Sequence, residues 1–140
     1  MKSIILFALI LASSAVFAQK EIKIEDAAKH VNDSVKICAI VRGVKYLPNS
    51  KAKPSFLDYG GRFPDAPLTL IVWGNERSQF KHLKSVDGAN VCVTGKITLY
   101  KEKLQIILYS KEQIISVIKD QEFESKEIKS HSLPLKESTK

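Results

Sequence analysis

Apolar and polar residues alternate with the period of a β-strand in one segment of the chain, and four further segments read as strands between turn signals. In a first strand over residues 35–45, Val35, Ile37, Ala39 and Val41 alternate with Lys36, Cys38, Ile40 and Arg42. Gly43 inside that segment predicts a bulge or a sharp bend. Residues 55–59 form a short second strand. Residues 68–73, dense in branched and aromatic side chains, form a third. A fourth runs over 89–99 with Gly95 inside it, and a fifth over 104–109. Loops over 46–53 and 60–67 are punctuated by Pro, Asn, Ser and Gly. Tyr100-Lys101-Glu102-Lys103 makes a hairpin. A short helix is expected over 76–83, with Asn75 as its N-cap and Phe80 and Leu83 facing inward. Residues 24–31 read as a helical or turn-like entry, and 110–118 as a short helix or an extended exit. Three strands, a short helix and two more strands predict an all-β fold: a five-stranded Greek-key barrel with a short helix between strands 3 and 4.

The ends of the chain differ from this pattern. Lys2 precedes an apolar run from Ile4 to Leu11, and Val16 and Ala18 fit the −3 and −1 positions of a signal peptidase site. Residues 1–18 therefore read as a cleaved signal peptide, too short to span a bilayer, which places the protein in the periplasm or outside the cell. No cysteine follows the cut, so a lipid anchor is not expected. Of 140 residues, 122 then remain, enough for one domain over 19–118. Residues 119–140 balance five lysines against five acids and carry little apolar surface; they read as a disordered charged tail. The net charge of +7 falls to +6 with the loss of Lys2, and it sits on the globular part. Two cysteines remain, Cys38 and Cys92, and in an exported protein an even count points to a disulfide.

The stretch from Val91 to Tyr100 (Val-Cys-Val-Thr-Gly-Lys-Ile-Thr-Leu-Tyr), followed by Gln105-Ile106, resembles the fourth and fifth strands of bacterial OB-fold nucleic-acid-binding domains of the anticodon-binding-like group. Residues 35–44, with Gly43, resemble the first strand of that group, and 68–74 the third. Glu102 and Leu104 depart from it, standing where Gly and Pro are frequent. The resemblance implies an OB barrel over about residues 24–115, in which the first and fourth strands are antiparallel neighbours. Cys38 and Cys92 would then both point outward on adjacent strands, within reach of a disulfide; two unpaired apolar thiols are the alternative.

OB-folds bind ligands across strands two and three, between the loops that follow strands one and four. By that resemblance the candidate nucleic-acid-binding residues are Tyr46, Lys51, Lys53, Tyr59, Arg62, Phe63, Tyr100, Lys101 and Lys103. Phe56 and Trp73 lie in the same region but are expected to fill the core. Interleaved rings and lysines suit single-stranded nucleic acid, with rings stacking on bases and lysines following phosphates. A basic surface also suits acidic glycans or envelope proteins, and a binding module for these is the alternative reading. No catalytic residue, metal site or cofactor motif is expected. His30, His82 and His131 lack metal-ligand spacing. Arg42, Arg62 and Arg77 with Asp58 and Glu76 match no nuclease motif.

Overall fold

The computed structural model describes residues 19–119. The signal peptide expected over 1–18 and the tail expected from 120 onward lie outside the described residues. Among the described residues there are seven strands: β1 (Lys20–Ile22), β2 (Ser34–Tyr46), β3 (Ser55–Tyr59), β4 (Leu68–Val72), β5 (Asn90–Tyr100), β6 (Lys103–Ile107) and β7 (Ile114–Ile118). No helix among the described residues is long and apolar enough to cross a membrane.

The strands pair in the order β2-β3-β4-β6-β5, and β5 returns to β2, closing a five-stranded barrel. β4 and β6 run parallel while the other barrel pairs are antiparallel. This is the OB-fold plan, and the five expected strands are its five staves. The two flanking strands add to one side, β1 parallel to β2 and β7 antiparallel to β5. β1 carries no alternation long enough to read. Residues 114–118 take the extended form of the two that were open.

Two long strands serve two sheets each, and both bend where a glycine permits it. In β2 the register against β3 shifts between Val41 and Gly43, leaving Arg42 as the extra residue of a β-bulge. At Gly95 in β5 a Cβ atom would come within 2.5 Å of Ile106 Cγ2 on β6, so only glycine lets the strands close there. Gln113 seals the gap beside this bend. Its side-chain amide donates to Thr94 O and Ile107 O, and its oxygen accepts from Tyr109 N and Ser110 N.

Inside the barrel, Val35, Ile37, Leu57, Leu70, Val93 and Ile106 pack in a single core. The helix expected over 76–83 is realised as two single 3-10 turns, Arg77–Gln79 and Leu83–Val86. Asn75 does not cap them; the first turn starts from Glu76 with no side-chain cap bond. Phe80 and Leu83 are buried as expected, and Val86 joins them. Phe80 follows the first turn, and Leu83 and Val86 lie three apart on one face of the second. All three side chains belong to the barrel's hydrophobic core cluster.

Cys38 and Cys92 lie directly opposite each other on β2 and β5, with Cα atoms 4.0 Å apart, and are joined by a disulfide. Disulfides of this kind form and persist in oxidising compartments.

Tyr59 belongs to this core and not to the surface assigned to it from the sequence. It is 0% exposed, and its hydroxyl lies 2.7 Å from Ile37 O and 2.6 Å from Val91 O, with its one proton shared between these two carbonyls. Burial pushes its phenol well above the ordinary value near 10. The protonated form is therefore favoured by the fold. Its contribution is complete below pH 10 and is lost as pH rises, because the unfolded chain ionises first. Stability is expected to fall by about 1.4 kcal/mol per pH unit above about 10. Urea unfolding between pH 9 and 11 checks this: the alkaline slope should flatten in Tyr59→Phe, and an unchanged slope would refute the assignment.

Candidate functional site

The outer faces of β3 and β4 form the floor of a groove of about 440 Å³. Its geometry follows from strand parity. Along β3, Ser55, Leu57 and Tyr59 turn inward, which leaves Phe56 and Asp58 facing out. Register then builds two rows across the sheet. Lys45, Phe56, Ile71 and Ile107 stand side by side in one row, and Gly43, Asp58, Thr69 and Gln105 in the next. The first row is mainly apolar with a lysine at its end; the second is polar.

The bulge at Arg42 decides which side chains of β2 reach this floor. Before it, Val35, Ile37 and Val41 point into the core. The extra residue reverses the alternation, so Gly43 and Lys45 pair outward with Asp58 and Phe56 while Val44 and Tyr46 take the inner side. Gly43 is also needed for space. A Cβ atom there would sit 2.8 Å from Asp58 Oδ2, so its absence lets the carboxylate lie across the neighbouring strand.

The β3–β4 loop and the β5–β6 hairpin form the rim. Phe63 and Tyr100 are 78% and 58% exposed and project from these segments. Asp58 Oδ2 accepts a hydrogen bond from Phe63 N at 3.2 Å, and Lys103 Nζ donates to Pro64 O at 3.2 Å, so both loops are tied to the groove. Lys101 and Glu102 have φ values of 46° and 62°, as the two central residues of a type I′ turn require. This tight turn holds Tyr100 and Lys103 as a cross-strand pair. Lys101 Nζ lies 5.5 Å from the Tyr100 ring centroid.

Of the residues picked from the sequence, Phe63, Tyr100, Lys101 and Lys103 line the groove together. Lys51, Lys53 and Arg62 are exposed on adjoining loops without lining it. Tyr46 is on the other side of β2, with the Arg77 guanidinium carbon 3.3 Å from its ring centroid. Tyr59 is in the core. Phe56, expected in the core, is half-buried on the groove floor, and Lys45 is an addition. Lys45 reads as an ordinary strand charge until its pairing with Phe56 is known. Trp73, also expected in the core, is half-buried just past β4 and does not line the groove.

Charge on the groove is uneven. Lys45, Lys101 and Lys103 face one acid, Asp58, and none of the three forms an ion pair with it among the described residues. None of Arg42, Arg62 and Arg77 lines the groove beside Asp58. His30 is paired with Asp33 at 2.9 Å, and His82 is exposed; His131 lies outside the described residues. Among the described residues no group of three or more His, Cys, Asp or Glu side chains is placed to hold a metal ion.

Barrel closure, strand order and the groove across β3 and β4 define this as an OB-fold domain. A chain in the crystal structure of yeast Stn1 and Ten1 is similar to it, with a TM-score of 0.51, 16% identity and coverage of 75% of this chain. The match takes in 65% of the yeast chain, less than two thirds of its length. A putative aspartyl-tRNA synthetase from Leishmania major Friedlin aligns with a TM-score of 0.46 and 12% identity, over 74% of this chain and 22% of its own. No protein-family model matches the sequence, and no curated protein does.

Proposed function

We propose that this is an exported OB-fold module that binds single-stranded nucleic acid along the groove over β3 and β4. The observation that carries the reading is the convergence of Phe56, Phe63 and Tyr100 with Lys45, Lys101 and Lys103 on one open face. Flat rings accept the faces of unpaired bases, and ammonium groups beside them neutralise phosphates. A closed duplex offers no such base faces. The resemblance of residues 91–106 to nucleic-acid-binding OB domains agrees with this. Export is supported by the signal-like residues 1–18 and by the disulfide. The groove is read as a binding surface and not as a catalytic one.

Affinity for a fluorescent single-stranded oligonucleotide, measured on residues 19–140 across a salt series, tests the reading. Three lysines meeting phosphates should give a log–log slope of about −2. Binding that ignores salt, or none at low salt, would overturn it and direct attention to an envelope oligosaccharide or protein. Those ligands would meet the same floor.

A further inference from the structure

We propose that Asp58 makes the groove select guanine among the unpaired bases. This rests on the reading of the groove as a single-strand site and adds a base preference to it.

A carboxylate is out of place in a groove that only follows phosphates, because it repels them. Asp58 is nevertheless held in position from two sides. Phe63 N donates to its Oδ2 at 3.2 Å, and Gly43 leaves the space that a Cβ atom would take from the same oxygen. Its Oδ1 accepts no hydrogen bond among the described residues, and the groove lysines do not neutralise it by direct pairing. The acid therefore faces the ligand with acceptor capacity to spare.

Phe56 lies two residues along β3 on the same face and lines the same groove, which places Asp58 within one base's width of a base stacked on that ring. Guanine carries two adjacent donors, N1–H and the N2 amino group, matching the two acceptor oxygens of a carboxylate. Thymine and uracil offer one N–H between two carbonyls, and those carbonyls are repelled by Asp58. Adenine and cytosine offer one amino group beside an acceptor nitrogen. Thr69 is the direct cross-strand partner of Asp58, about 4.5–5.5 Å away between Cβ atoms, and its hydroxyl suits the guanine O6 acceptor.

The experiment compares oligonucleotides of equal length bound to residues 19–140: a thymidine tract, the same tract with one central guanosine, and the same with inosine, which lacks the N2 amino group. The guanosine tract should bind about tenfold more tightly than thymidine alone, and inosine should lose most of that gain. Asp58→Asn keeps an acceptor for Phe63 N, so its melting temperature should match the parent. It should abolish the guanosine preference and strengthen thymidine binding, because the charge that repels the phosphates is gone. Equal binding of all three tracts, or a guanosine preference that survives Asp58→Asn, overturns the inference and leaves the single-strand reading standing. Failure of every tract to bind overturns both.

Discussion

Replacing the two most exposed groove rings together, Phe63→Ala with Tyr100→Ala, should weaken single-strand binding on the order of a hundredfold without unfolding the protein. Each base stacked on an aromatic side chain is worth about 1–3 kcal/mol when that ring is removed. Two such losses near the lower half of that range approach 3 kcal/mol, or about two decades in Kd. The fold should hardly register the change, because both rings stand largely in solvent at 78% and 58% exposure. Their exposure is itself informative. Large rings held beside the apolar row of Phe56 and Ile71 make a contiguous patch of the kind that marks a binding surface. The test is a titration with a labelled oligonucleotide next to a thermal melt. Affinity within about twofold of the parent, at an unchanged melting temperature, would remove the rings from the interface.

Loss of the disulfide should have the largest effect on stability. Cys38 and Cys92 are 54 positions apart, and closing a loop of that size in the unfolded chain is worth about 4 kcal/mol in the chain-entropy account. Domains of this size are stable by about 5–15 kcal/mol, so the reduced barrel should be marginal. The bond sits within the β2–β5 pairing, on the part of those strands that precedes the groove. Binding by molecules that remain folded should therefore persist. Urea unfolding with and without reductant, repeated on Cys38→Ala with Cys92→Ala, measures the difference. A midpoint that does not move would show that the barrel stands without its cross-link. A large shift would tie the fold to an oxidising compartment.

Much of the barrel could be read from local alternation. β2 and β5 bury branched residues at alternate positions before their glycines, and β4 is a short run of branched residues buried at four of its five positions. Gly43 marked the bulge in β2, whereas the need for Gly95 comes from Ile106 on β6, which a Cβ atom there would meet. The side of the sheet shared by Cys38 and Cys92 was visible from parity, once the OB resemblance had supplied the strand order. β1 escaped notice because three residues carry too little periodicity. Residues 76–83 suit a helical period because Phe80 and Leu83 lie three apart, but the chain forms separate turns over Arg77–Gln79 and Leu83–Val86.

The candidate site divides differently. The hairpin residues Tyr100, Lys101 and Lys103 and the loop residue Phe63 were accessible from composition and resemblance, since short exposed loops leave their side chains little choice of environment. Strand residues had a choice. In β3 either Phe56 or its neighbours Leu57 and Tyr59 could have filled the core, and local hydrophobicity does not separate them. Pairing with Leu68 and Leu70 of β4 turns Leu57 and Tyr59 inward and sends Phe56 out. In β2, uninterrupted alternation would have placed Lys45 on the core side with Val41. The extra residue at Arg42 brings Lys45 out beside Phe56 and takes Tyr46 away from the groove. Alternation is a property of neighbouring residues, but the face it points to is set by partners distant in sequence, and one bulge exchanges the two faces.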